Sequence, residues 1–339
     1  MDISKYDSID ITTPPIEISG FRWREPGGPF IRLPQEFLSS GAASEGLLRH
    51  APETAGGMIR FRTDSTAIGA EVWLTGVNRM VDMANSGSSE IDLYADSKYF
   101  RSIFPGDDAH YSGVFDSVYG LDGSMRQWTI NMPLYAGVVK MNILLKSGAV
   151  LLPPLPFSVK KPVLCYGSSI TQGCSASRPG NCYTAILARR LNAELVNLGF
   201  SGNAMGEIEM AEMISTLDLS AFIMDYDHNA PNDAHLIQTH RPFFAHIRAK
   251  WPELPVLFIS KPDFDNNPRS NGRRRDIIRK TYTDAVNAGD RNVYFIDGET
   301  LFDGAERDAC TMDGCHPNDI GFMRIADTIM PVLRRALES

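Results

Sequence analysis

Two hydrophobic rhythms divide the chain. Between residue 9 and about residue 157, apolar and polar positions alternate in short runs. Examples are Met58-Ile59-Arg60-Phe61-Arg62-Thr63, Ala70-Glu71-Val72-Trp73-Leu74, Glu90-Ile91-Asp92-Leu93-Tyr94 and Gln127-Trp128-Thr129-Ile130-Asn131-Met132. A period of two predicts strands buried on one face. Turn-forming clusters separate the runs, among them Pro26-Gly27-Gly28-Pro29, Pro105-Gly106-Asp107-Asp108 and Asp122-Gly123-Ser124. Short strands at this spacing predict an all-β sandwich or jelly roll. The segment 151–162 carries Pro153, Pro154, Pro156 and Pro162 and reads as a linker. Beyond it, continuous apolar runs at 163–166, 193–200, 221–227, 255–260 and 293–297 alternate with helical stretches at 183–191, 207–215, 234–250, 274–287 and 317–337. Apolar strands between helices predict a parallel sheet covered on both faces. Five such units predict a doubly wound, flavodoxin-like three-layer α/β/α domain. The expected division is therefore a β-sandwich over 1–155 and an α/β domain over 156–339.

Composition narrows the function classes. Of 339 residues, 43% are hydrophobic and 22% charged, which is the balance of a globular protein and excludes a disordered one. The net charge of -8 and the lack of a long basic run exclude a nucleic-acid partner. The one dense basic group, Arg273-Arg274-Arg275, reads as a solvated helix face. No apolar stretch reaches the ~18 residues of a membrane span. The amino terminus, with Asp2, Asp7 and Asp10, does not read as a signal peptide, so a cytoplasmic location is expected. Five cysteines, Cys165, Cys174, Cys182, Cys310 and Cys315, include no CxxC pair and no matching histidine spacing, so reduced thiols and no metal are expected. Neither GxGxxG after a strand nor GxxxxGK[ST] occurs, so no nucleotide cofactor is expected.

In an open α/β sheet the chemistry lies beyond the carboxyl ends of the strands. After the first run comes Gly167-Ser168-Ser169-Ile170-Thr171-Gln172-Gly173, a tight turn that presents a serine hydroxyl at the start of a helix. After the second comes Gly199-Phe200-Ser201-Gly202-Asn203-Ala204, where a glycine allows backbone N–H to approach a ligand. After the third comes Asp225-Tyr226-Asp227-His228-Asn229, whose asparagine amide can reach the crevice. Alone, the first two read first as helix-capping turns and the third as an asparagine that stops a strand before a helix. Asp225, Asp227 and His228 read first as local hydrogen-bonding groups. Before the last helix, Asp313-Gly314-Cys315-His316 sets an aspartate and a histidine three residues apart, the spacing of an orienter and a base. Taken together, a nucleophile, two oxyanion donors and an Asp/His pair on one crevice are the parts of acyl transfer.

These blocks resemble the SGNH, or GDSL-type, serine hydrolases. Gly167-Ser168-Ser169-Ile170-Thr171 matches the first block, with Ser168 in place of the usual aspartate; Gly202 matches the second, Asn229 the third, and Asp313 with His316 the fourth. The third block lacks its usual glycine. The first half is similar to the β-sandwich that precedes one SGNH subgroup: Phe30-Ile31-Arg32-Leu33-Pro34, Arg60-Phe61-Arg62-Thr63-Asp64-Ser65 and Asp92-Leu93-Tyr94 carry the likeness, with Glu90 where the GxDLY glycine would stand. The resemblance implies a serine esterase, a carboxylic ester hydrolase. Catalysis would rest on Ser169, His316 and Asp313, with an oxyanion hole formed by Ser169, Gly202 and Asn229. Relatives of this arrangement include carbohydrate O-deacetylases and a natural-product acyltransferase. The expected substrate is therefore a small acyl ester, acetyl above all, on a sugar or oligosaccharide. The alternatives are transfer of the acyl group to another hydroxyl and, more remotely, a non-catalytic glycan-binding protein. The sequence carries no sign of oligomeric state.

Overall fold

The alternating half of the chain forms ten antiparallel strands and the continuous half a five-stranded parallel sheet. This is seen in a computed structural model that describes residues 3–262 and 265–338; Asp2, part of the acidic amino terminus, lies outside the described residues. Two compact units result. The first holds the chain up to Pro34, Ala51–Phe157 and Ser177–Gly180. The second holds Gln35–His50, Ser158–Ala176 and the chain from Asn181 onward. Two short segments, 35–50 and 177–180, thus join the unit that their place in sequence does not suggest.

The first unit is a sandwich. One sheet has the order β1 (Tyr6–Asp10), β9 (Val138–Lys146), β4 (Ile68–Leu74), β7 (His110–Phe115). The other has the order β10 (Leu151–Leu152), β3 (Met58–Thr63), β8 (Arg126–Asn131), β5 (Ile91–Ala95), β6 (Lys98–Ile103), with β2 (Glu17–Ser19) also beside β3. Alternate residues of both sheets meet in one core: Ile59 and Phe61 of β3, Ala70 and Val72 of β4, Leu93 of β5, Trp128 and Ile130 of β8, Met141 and Ile143 of β9. Trp128 is wholly buried there, whereas Trp73 on the outer face stacks on His110 with ring centroids 4.7 Å apart. The proline-rich segment is less of a linker than its composition suggests. Leu151–Leu152 pairs with β3, and a strand of the second unit begins at Val159. Pro162, which has no N–H to donate, falls where the register of that strand shifts.

In the second unit the sheet order is β12 (Ala193–Gly199), β11 (Val159–Gly167), β13 (Ala221–Asp225), β14 (Val256–Ile259), β15 (Val293–Ile296), all parallel. That is the 2-1-3-4-5 order of flavodoxin-like sheets. Counting α1 (Gln35–Ser39), α2 (Glu45–His50) and α3 (Asn85–Ser88), the helices that follow are α4 (Ser169–Gln172), α5 (Tyr183–Leu191), α6 (Ile208–Ile214), α7 (Asp233–Lys250), α8 (Pro268–Asn287) and α9 (Asp319–Glu338). Helices α5 and α9 pack together, as do α6, α7 and α8. The strands are buried throughout the sheet centre because both faces are covered; every residue of β13 and β14 is buried. Helix α8 begins six residues ahead of its expected start, since Asn267 caps it and Pro268 fills its first turn. No helix among the described residues is long and apolar enough to cross a membrane.

Candidate active site

Three strand ends lie level with one another. Gly167, the last residue of β11, pairs in register with Gly199 of β12 and with Asp225 of β13. The loops that follow therefore leave the sheet side by side. The first turns directly into α4. Ser168 caps that helix, its hydroxyl accepting the Ile170 N–H at 3.2 Å, so it supplies the capping oxygen that an aspartate would otherwise provide. Ser169 is the first helical residue and is 8% exposed. Gly199 permits this crossing, because a Cβ there would stand 2.2 Å from the Gln172 backbone nitrogen.

His316 comes to Ser169 from the far end of the chain. Its Nε2 lies 3.0 Å from Ser169 Oγ, and its Nδ1 lies 2.8 Å from Asp313 Oδ2. Asp313 Oδ1 accepts two backbone N–H groups, from His316 at 2.7 Å and Cys315 at 3.0 Å. Partial burial raises the Asp313 carboxyl, but the bonds from the His316 ring and these N–H groups outweigh it and hold the group below the usual carboxylate range. The structure thus joins Ser169, His316 and Asp313 in one hydrogen-bonded chain.

Gly202 and Asn229 occupy the two neighbouring loops. Gly202 has φ +69°, a left-handed conformation that favours glycine. Its loop is held by Asn203 N–H on the Phe200 carbonyl at 2.9 Å and by Ser201 N–H on Gln172 Oε1 at 3.0 Å. Asn229 ends a 3₁₀ turn over Asp227–Asn229 and donates one amide N–H to the same Phe200 carbonyl, at 2.9 Å. The second and third loops are therefore tied through one oxygen.

Asp225 and Asp227, expected at this strand end as local hydrogen-bonding groups, make such contacts beside the site. Asp225 Oδ2 accepts hydroxyls from Thr171 of α4 and Tyr183 of α5, each at 2.9 Å. Burial pushes the Asp225 carboxyl up to about 7, although both hydroxyls act against it. Asp227, wholly buried, pairs with Arg274 at 2.7 Å. This corrects the reading of Arg273-Arg274-Arg275 as a solvated face: Arg274 is 6% exposed. The signal was present in the spacing, since Asn271, Arg274, Ile278, Thr281 and Ala285 form the buried stripe of α8.

In the first unit, Arg178 turns its side chain inward onto the Asp-Leu-Tyr motif. Its guanidinium lies 3.2 Å from the buried Asp92, bonds the Tyr94 hydroxyl, and covers the Tyr99 ring at 3.9 Å. Asp92 also accepts the Gly180 N–H at 2.8 Å and the Asn131 amide at 2.7 Å. The Asp-Leu-Tyr motif is thus a clasp on residues 177–180. Beside it, burial and the neighbouring Asp92 charge push the Glu90 carboxyl up to about 9.

Asp313, Cys315 and His316 bring potential metal-ligand atoms within 4.8 Å, but Asp313 and His316 are already bonded to each other. A cavity of about 690 Å³ between α7 and α8, lined by Leu236, Ile237 and Arg273 among others, includes none of the groups described above on the strand ends.

The GDSL-like lipase/acylhydrolase family matches residues 160–334, and the GxDLY family, the amino-terminal domain of SGNH-hydrolase-type esterases, matches residues 6–151. Among solved structures, a GDSL-like lipase from Bacteroides ovatus is 25% identical, with 98% of each chain covered and a TM-score of 0.87. A salicylyl-acyltransferase from a tetracycline biosynthetic pathway is 20% identical, with 98% of each chain covered and a TM-score of 0.79. A family two carbohydrate esterase from Clostridium thermocellum, solved with cellohexaose, is 14% identical over 84% of this chain and 93% of its own, with a TM-score of 0.62. No curated protein sequence matches the chain.

Proposed function

Since the chain belongs to the GDSL-like lipase/acylhydrolase family and is a carboxylic ester hydrolase, we propose that it removes a small acyl group, acetyl above all, from a carbohydrate by way of Ser169. The observation that carries this reading is the unbroken relay from Ser169 Oγ through both nitrogens of His316 to Asp313. Ser169 Oγ attacks the ester carbonyl while His316 Nε2 takes its proton. Asp313 fixes the ring with Nδ1 protonated and stabilises the imidazolium; its depressed carboxyl keeps it anionic for that task. The developing oxyanion is received by the backbone N–H groups of Ser169 and Gly202 and by the second amide N–H of Asn229. Collapse expels the sugar alkoxide, which takes the proton from His316. Water then repeats the cycle on the acyl-enzyme and frees the carboxylic acid.

The carbohydrate part of the reading draws on the family two esterase with its bound cellohexaose. A second reading, transfer of the acyl group to a sugar or natural-product hydroxyl, draws on the acyltransferase whose whole length is shared. The same residues serve both reactions, which differ in whether water or an alcohol takes the acyl group. One assay separates them: esters with acyl chains of increasing length, run beside acetylated sugars, each with and without an alcohol acceptor. Release of free acetate with the highest kcat/KM on acetylated sugars is expected. A preference for long chains would overturn the substrate class, and product appearing only as a new ester would favour transfer.

A further inference from the structure

We propose that Arg274 is a positioning residue for Asn229, holding the turn that aims its amide at the oxyanion; the inference rests on the reading of Asn229 as an oxyanion donor. Of three successive arginines on α8, the other two make surface pairs, Arg273 with Asp233 and Arg275 with Glu299. Arg274 instead enters the protein and makes three bonds to a single turn. Its Nε donates to Asp227 Oδ1 at 2.7 Å, and its Nη2 donates both to the Asp227 carbonyl and to the Ala230 carbonyl, the latter at 3.0 Å. The guanidinium therefore grips both ends of residues 227–230, with Asn229 between them. Asp227 Oδ2 is in turn held by the Lys261 N–H at 3.0 Å, which ties the turn to the loop that follows β14.

The turn's own backbone bonds are local: Asn229 N–H to Tyr226 O at 3.0 Å and Ala230 N–H to Asp227 O at 3.2 Å. They fix its shape but not its pose on the sheet. The pose is held by Arg274 and Lys261 on one side, by the Asn229 bond to Phe200 on the other, and by a contact of His228 Nδ1 with Cys315 Sγ at 3.8 Å. An oxyanion donor is effective to the extent that it needs no reorganisation when charge develops. A planar fork can hold a carboxylate and two carbonyls at once, whereas an ammonium is a single point charge that cannot span them. Asp227 and Arg274 are thus built to orient the asparagine beside them rather than to touch substrate.

The test is a double-mutant cycle of Arg274→Lys and Asn229→Ala, followed by kcat and KM on an aryl acetate. Arg274→Lys is expected to lower kcat about tenfold and to leave KM within about twofold, less than the ~10²–10³-fold loss when a donor is removed outright. In the Asn229→Ala background the same lysine is expected to change kcat by less than about twofold, because the group it positions is gone. Equal losses in both backgrounds, or an unchanged kcat for Arg274→Lys alone, would overturn the proposal. A normal kcat for Asn229→Ala alone would instead remove the oxyanion role on which it rests, and that result is read from the single variant. Circular dichroism and a thermal melt accompany each protein. If the lysine variant does not fold, the paired neutral change Asp227→Asn with Arg274→Gln, which leaves no buried charge alone, is judged by the same two comparisons.

Discussion

Asp313 holds His316 twice, once by the ring and once by the backbone: Oδ2 lies 2.8 Å from Nδ1 and Oδ1 lies 2.7 Å from the backbone N. The three-residue spacing makes this double grip possible, because a turn of that length returns the histidine's own N–H to the aspartate side chain. The imidazole is therefore fixed in both tautomer and direction by a carboxylate that the same bonds keep ionised.

Asp313→Asn is expected to keep the loop, since an amide oxygen still accepts the backbone N–H groups, while losing the charge that stabilises the imidazolium. Turnover should fall by roughly 10²–10⁴-fold with little change in KM. Steady-state kinetics on an aryl acetate reads this, and unchanged turnover would remove Asp313 from the relay.

His240 predicts an acid limit to stability. It is fully buried against Tyr226 and Phe258, with Nδ1 3.0 Å from Thr281 Oγ1. Burial drives its imidazole down to about 3. An unfolded histidine takes up its proton near pH 6.5, so between these values the unfolded chain binds more protons and stability is lost as pH falls. His240→Phe, which fits the aromatic surroundings and cannot ionise, should lose less melting temperature than wild type between pH 7 and pH 4. Equal losses would show that His240 does not set the acid limb.

Asp225 predicts the opposite slope. Its folded carboxyl stays protonated up to about 7, whereas an unfolded aspartate ionises near 3.9. The stability it contributes is full below the lower value and lost as pH rises through the upper one. Asp225→Asn keeps an acceptor for Thr171 and Tyr183 and has no charge to bury. Its melting temperature relative to wild type should therefore rise between pH 4 and pH 8. A difference that stays constant with pH would contradict the raised carboxyl.

The motif clasp predicts a stability effect in the sandwich. Asp92→Ala removes the carboxylate that Arg178, the Gly180 N–H and the Asn131 amide bond. A loss of about 3 kcal/mol is expected, the low end for a broken buried pair because Arg178 is partly exposed. Urea unfolding measures it, and a loss below about 1 kcal/mol would mean that the clasp is not structural.

Much of this architecture was legible because burial writes a period into the sequence. Strand β3 and helix α5 fall at their expected residues, 58–63 and 183–191. Ser169, Gly202, Asn229, Asp313 and His316 stood out because each follows a strand or precedes a helix where the sheet directs its loops. Buried polar residues within a charged or motif-like run are harder to read from sequence. Arg274 looked like its neighbours in an arginine run, and only its place on the 271–285 stripe marks it as buried. Glu90 stands where the GxDLY glycine would, yet it is a buried carboxyl; its proton affinity is raised by burial, which depends on the fold around it, and by Asp92 only two residues along the same run. The strand pairing of Leu151–Leu152 was hidden by the prolines beside it.

The central claim is that Ser169 is the nucleophile, and covalent labelling tests it most directly. A fluorophosphonate should add once to the wild-type protein, and peptide mass spectrometry should place the adduct on Ser169, while Ser169→Ala remains unlabelled with its melting temperature preserved. An adduct on a different residue, or labelling of Ser169→Ala at the wild-type rate, would contradict the account.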